Sequence, residues 1–168
     1  MLDKINGLPA HVLLIHAVVV LVPAAAVMLV ASALWPAARA KLGFFTPAVA
    51  LVALVLVPIT TNAGEWLQNH LPNGIGHTNP AIAHHAKLGD ELLPWALGIF
   101  VMAALVWVLH RRFTFGWRPA ADGTARALPV WVTAVVAALA LVVAIGAVIM
   151  LYRIGDSGAK AVWSGTVS

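Results

Sequence analysis

Residues 128–152 read LPVWVTAVVAALALVVAIGAVIMLY, a run without a single charged side chain. About 20 apolar residues in a helix cross the ~30 Å hydrocarbon core of a bilayer, and this run is long enough to do so. Three further apolar runs precede it, at 12–35, 44–61 and 92–109. Alternation of apolar and polar residues, which would indicate strands of a barrel, is absent, so each run predicts a membrane-spanning α-helix.

The composition agrees with that interpretation. Of the 168 residues, 62% are hydrophobic and 10% are charged, more apolar surface than a soluble domain of this length can bury. We therefore predict an all-α integral membrane protein, a single four-transmembrane-helix bundle over residues 1–168. Its spans are expected at about 11–35, 44–68, 82–110 and 128–153. The first run is too long for the apolar part of a signal peptide, so we expect it to be a span.

Several classes of function are excluded at this level. The chain has no cysteine, which rules out disulfides, iron–sulfur clusters, thiolate zinc sites and covalently attached c-type haem. The net charge is +4, but the basic residues lie between apolar runs, as membrane anchors do, so we expect no nucleic-acid partner. No nucleophile–base triad and no phosphate-binding glycine loop is present, and whether the protein is an enzyme is left undecided.

The basic residues also predict an orientation. Six of them fall in the two links that follow the first and third spans: Arg39, Lys41, Arg111, Arg112, Arg118 and Arg126. By the positive-inside rule these links are cytoplasmic, which places both termini and the long central loop outside the cytoplasm. Six of the seven histidines then belong to the outer half: His11, His16, His70, His77, His84 and His85.

Polar residues at the outer ends of all four spans predict a common site. His16 lies inside the first span, where an ionisable side chain is costly and usually faces the bundle interior. We expect it to meet polar residues from the other three spans in one outer cap: Glu65, His85, Asp90, Arg153 and Asp156. Two purely structural explanations compete: a neutral His16 hydrogen-bonded to a neighbouring helix, and a charge network that locks the helices together.

Four segments carry a family resemblance. LPAHVLLIH (8–16), NAGEWL (62–67), HAKLGDELLPWA (85–96) and YRIGDSGAKAVWSG (152–165) resemble segments of the bacterial domain-of-unknown-function family 2231. The histidine pair of that family corresponds to His11 and His16, and its third-span histidine to His85; Val12 replaces the usual proline. The resemblance implies a small four-helix, multi-pass protein of the bacterial inner membrane without an assigned activity. Some relatives are joined to cytochrome-like domains, which favours a role in redox chemistry.

The first functional hypothesis is a b-type haem protein. Haem b needs two axial imidazoles from facing helices, an apolar slot and polar groups for its propionates. We expect His16 and His85 as the axial pair. Arg153, Lys87 or the outer loop would meet the propionates, and Gly89 would give the ring clearance.

Two alternatives remain open. The first is a divalent transition-metal site for zinc, copper or iron, because imidazoles and carboxylates suit these ions. Its expected ligands are His11, His16, Glu65, His85 and Asp90. The second is a non-catalytic accessory subunit of a membrane complex. The expected partners are the lipid bilayer, membrane or periplasm-facing redox proteins, and a second copy of the chain.

Overall fold

The computed structural model describes residues 4–5, 7–112 and 128–163. Two two-residue strands, β1 (Lys4–Ile5) and β2 (Leu8–Pro9), pair in an antiparallel manner just before the first helix. The helices follow in chain order: α1 (Ala10–Leu34), α2 (Pro36–Leu42), α3 (Phe45–Asn69), a 3₁₀ turn (Pro72–Gly74), α4 (Ile75–Thr78), α5 (Pro80–Asp90), α6 (Leu92–Arg112) and α7 (Val130–Trp163).

Four helical stretches are long and apolar enough to cross a membrane: α1, α3, the consecutive α5 and α6, and α7. The prediction of an all-α protein with four transmembrane helices is confirmed. The main difference lies in α7, which continues from the predicted end near 153 to Trp163. With 34 residues it is about 50 Å long, so its last turns extend beyond a ~30 Å hydrocarbon core.

The four spans form one bundle. Helix α1 packs mainly against α3 and α7, α6 packs against the same two helices, and α1 and α6 make a smaller contact with each other. Their contact surfaces are rich in small buried side chains: Ala25, Ala26, Ala50, Ala53, Ala140, Ala144 and Ala147. Small residues let helix backbones approach closely, which is how transmembrane helices gain packing energy inside a bilayer.

The third span is interrupted between α5 and α6, and Pro94 gives the physical reason. Proline has no N–H to donate to the carbonyl four residues earlier, here that of Asp90, and the helix breaks at Glu91. At its other end, α5 is capped by the Asn79 side chain, which accepts a hydrogen bond from the N–H of Ala81 at 2.9 Å. The short α5 packs against α7 and α3, so its side chains reach both helices.

One end of the bundle is closed by a buried arginine. Arg39 donates from Nε to the carbonyl of Ser32 at 2.6 Å and from Nη2 to that of Ala33 at 2.8 Å. These carbonyls belong to the last turn of α1 and have no partner inside the helix. The Ser32 hydroxyl in turn lies 3.1 Å from that of Thr46. We call this region, Ser32 with Arg39 and Thr46, the Arg39 end. Burial there lowers the pKa of Arg39.

Candidate functional site

A cavity of about 890 Å³ lies at the opposite end, where α1 begins and α3 and α7 end. Cavities that hold small molecules or cofactors span roughly 300–1,000 Å³, so this one has the size of a ligand site. Most of its lining is apolar, and its walls come from α1, α3, α5 and α7. Its titratable lining residues are His11, His16, Glu65, His85 and Asp90. We call it the histidine cavity, and the five residues of the predicted metal set all line it.

His11, in the first turn of α1, is held against α3. Its Nδ1 lies 2.9 Å from the carbonyl oxygen of Thr60. Because a carbonyl only accepts, Nδ1 carries the proton, and the Nε2 of the neutral ring keeps a free lone pair. The ring lies beside Gly64, where a Cβ atom would come within 3.0 Å of His11 Cε1 and Nδ1. Glycine at this position therefore makes room for the imidazole.

His85, on α5, is held in the same manner against α7. Its Nδ1 lies 3.1 Å from the carbonyl oxygen of Ile154 and 3.1 Å from the Ser157 hydroxyl. That hydroxyl donates to the Ile154 carbonyl at 2.9 Å. The carbonyl again requires Nδ1 to carry the proton, so the Nε2 of His85 is also free to bind a ligand. A Cβ atom on Gly158 would lie 3.0 Å from His85 Cε1.

The two imidazoles lie close together in an edge-to-face arrangement. The ring centroids of His11 and His85 are 6.4 Å apart, and the ring planes are at 84°. Metal–nitrogen distances are about 2.0 Å, so two imidazoles at this spacing would both reach one ion placed between them. Both rings also line a smaller apolar pocket of about 60 Å³ deeper in the bundle. This spacing would allow His11 and His85 to hold one metal centre together.

His16 is placed differently from the prediction. It lines the histidine cavity but is exposed, and its Nδ1 bonds to the carbonyl of Val12 in its own helix at 2.6 Å. The hydrogen bond to a neighbouring helix, expected under the structural explanation, is therefore not formed. His16 lies five residues further along α1 than His11, about 7 Å at 1.5 Å per residue. This offset explains why His11, not His16, is the partner that His85 meets.

The carboxylates of Glu65 and Asp90 stand exposed at the rim of the same cavity. Within the described part of the chain, neither side chain forms a hydrogen bond or an ion pair. The same residues contain no group of three or more His, Asp or Glu side chains positioned around one metal ion. The predicted metal set thus shares a cavity without forming a closed coordination sphere.

The remaining predicted residues are spread more widely. Arg153 is exposed on α7 and does not line the cavity. Asp156 pairs with Lys160 of the same helix at 2.7 Å, so it does not lock the helices together. Gly89 lines both cavities, but a Cβ atom there would only make an ordinary contact of 3.6 Å with Thr61. Gly64 and Gly158 instead lie against the imidazole rings of His11 and His85.

Five residues that hold the imidazoles were not found by sequence reasoning: Thr60, Gly64, Ile154, Ser157 and Gly158. In both cases the glycine follows the accepting carbonyl by four residues, one helical turn. The glycines within NAGEW and GDSGA were the available signal. The carbonyl partners had none, because every residue carries a carbonyl.

Comparison with known proteins gives one match. The model of a family described as "Predicted membrane protein (DUF2231)" matches residues 7–168. No curated protein and no solved structure matches the chain. The chain therefore belongs to the DUF2231 family, as its four quoted segments predicted.

Proposed function

We propose that this DUF2231 protein binds b-type haem in the membrane and uses His11 and His85 as axial ligands. The observation that carries the proposal is the His11–His85 pair itself. His11 on α1 and His85 on α5 each donate their Nδ1–H to a backbone carbonyl. The centroids of the two rings are 6.4 Å apart. Histidine ligands of metals commonly donate their other ring N–H in this way, which fixes the tautomer and the ring orientation.

The surrounding space supports a flat, largely apolar group. His11 and His85 both line the histidine cavity and the smaller apolar pocket. The smaller pocket is lined by aliphatic side chains such as Val18, Val57 and Leu92. When bound, haem b supplies one-electron transfer, and the protein sets its potential through the axial ligands and the burial of the ring. A propionate contact from Arg153 has no support in the geometry.

A second candidate, a transition-metal ion, is favoured by the charge of the rim. Glu65 and Asp90 line the histidine cavity, whereas no lysine or arginine of the described residues does. Carboxylates attract a cation and repel propionates. Zinc, copper and iron all accept imidazole nitrogen, and two histidines with one or two carboxylates leave open positions for water or substrate.

We further propose that the histidine cavity faces the outside of a bacterial inner membrane, where periplasm-facing redox proteins would exchange electrons with it. The basic residues of the two predicted cytoplasmic links support this orientation. A reporter fused after Ser168 should be active only outside the cytoplasm. Activity of the reporter in the cytoplasm would show that the predicted orientation is reversed.

The test is the absorption spectrum and the metal content of the purified protein, followed by two variants. We expect a Soret band in the parent protein and its loss in both His11→Ala and His85→Ala. His77→Ala, on α4 and outside the cavity, is the matched control and should keep the parent spectrum. A colourless protein with stoichiometric metal selects the second candidate. A purified protein with neither a Soret band nor bound metal would favour the interpretation as an accessory subunit.

A further inference from the structure

The two axial histidines are held by similar elements of structure. Each ring donates to a carbonyl and lies beside the glycine four residues later: Thr60 with Gly64 for His11, and Ile154 with Gly158 for His85. Residues four apart share one face of a helix, so each imidazole covers a single turn. We call these two turns the α3 seat (60–64) and the α7 seat (154–158).

The seats differ in one group, the hydroxyl of Ser157. It lies 3.1 Å from the Nδ1 of His85 and is buried, with 6% of the residue exposed. In the α3 seat, the Thr60 hydroxyl donates backwards to the carbonyl of Leu56 at 2.7 Å. Among the described residues, no hydroxyl therefore accompanies the Nδ1 of His11.

The Ser157 hydroxyl is a second acceptor for the ring N–H of His85. The Ile154 carbonyl already belongs to the hydrogen-bond ladder of α7, and it also receives the Ser157 hydroxyl at 2.9 Å and the His85 Nδ1–H at 3.1 Å. A carbonyl oxygen has two lone pairs, so three donors compete for them. The Ser157 hydroxyl donates its hydrogen to the Ile154 carbonyl. Its oxygen keeps lone pairs that can accept the Nδ1–H of His85. The imidazole thus has two acceptors for one proton.

We propose that Ser157 is a positioning residue for His85: its hydroxyl is a second acceptor for the Nδ1–H and helps to hold the ring in the orientation that leaves Nε2 free to bind the metal centre. The part of this inference that concerns metal binding rests on the proposed function, whereas the hydrogen bond between His85 and Ser157 does not. An acceptor for the distal N–H raises the basicity of a ligating histidine, and removing such a partner typically lowers metal affinity 10–100-fold. The two axial ligands are consequently unequal, and the His85 side is the stronger donor.

The test compares Ser157→Ala with Ser157→Thr, which keeps the hydroxyl, and with Ser32→Ala. Ser32 is a matched control because it is also a buried serine, with a hydroxyl bonded to Thr46 at the Arg39 end. Nitrogen-15 NMR of the cofactor-free protein reports the His85 tautomer. Titration with haem, or with zinc if the protein is colourless, reports affinity, and redox titration of the haem form reports the potential.

We expect the Nδ1–H tautomer of His85 in the parent protein and in Ser157→Ala, because the Ile154 carbonyl remains as an acceptor. The Nδ1–H resonance should shift in that variant, since one of its two acceptors is lost, and affinity should fall about tenfold with a shifted haem potential. Ser157→Thr should restore the resonance, the affinity and the potential, and Ser32→Ala should match the parent. A parental Nδ1–H resonance and affinity in Ser157→Ala would overturn the inference. A parent protein that takes up neither haem nor metal overturns the proposed function, while the comparison of the Nδ1–H resonances still decides the role of Ser157.

Discussion

The two ends of the bundle use buried polar groups in opposite ways. At the Arg39 end, the guanidinium bonds to the last carbonyls of α1 and the two hydroxyls bond to each other, around a void of only about 10 Å³. At the histidine end, the rings of His11, His16 and His85 each use Nδ1 on a carbonyl and leave Nε2 without a partner among the described residues, beside about 890 Å³ of space. The polar groups of the first end bond mainly to the protein itself, whereas those of the second end leave ring nitrogens beside open space.

The largest expected effect on stability is at the Arg39 end. Arg39→Met should lower the free energy of unfolding by about 2–4 kcal/mol, because two helix carbonyls lose a charged donor while buried. Cofactor content per folded molecule should stay at the parent value. The measurement is unfolding in mixed detergent micelles, with Lys41→Met as the control, since Lys41 is an exposed basic residue of the same helix. Equal free energies of unfolding for Arg39→Met and Lys41→Met would show that the hydrogen bonds of Arg39 do not stabilise the bundle.

A smaller effect, confined to the cofactor, is expected in the α7 seat. Gly158→Ala places a methyl group about 3.0 Å from the His85 ring, so the imidazole must shift and cofactor content should fall several-fold. Gly155→Ala is the matched control, because a Cβ atom there meets nothing within 4 Å. Both changes remove the same helix penalty of glycine, about 0.5–1 kcal/mol, but in Gly158→Ala the displacement of the imidazole offsets part of that gain. Equal cofactor content in both variants would show that Gly158 does not contribute to the cofactor site.

The sequence predicted the features that depend on long apolar runs, and missed those that depend on which helix faces which. Four spans follow from run length alone, and the polar ends of the helices indicated where a site would form. The preference for His16 followed from the cost of a polar ring inside a span, which the structure resolves with a carbonyl of the same helix, that of Val12. The pairing of His11 with His85 depends on the rotation of α1, α3, α5 and α7 about their axes, which no short motif encodes.

Arg39 shows the same limit at the other end. In the sequence it is one of six basic residues in two links, and the positive-inside rule treats all six alike. The structure distinguishes Arg39 from the other basic residues because the short helix α2 places its side chain against the last turn of α1. Only the distance from Arg39 to the Ser32 and Ala33 carbonyls distinguishes a helix cap from an anchor at the membrane surface.

The smallest effect is expected for His16→Ala, and it is the sharpest test of the ligand assignment. His16 is exposed and bonds only within α1, so its removal should change stability by about 0.5 kcal/mol or less and leave the Soret band in place. His11→Ala, a change of the same size in the same helix, should abolish that band. The opposite result, with the band lost in His16→Ala and kept in His11→Ala, would return the axial pair to His16 and His85. It would also require α1 to move by about 7 Å along its axis relative to α5, because that is the rise between the two histidines.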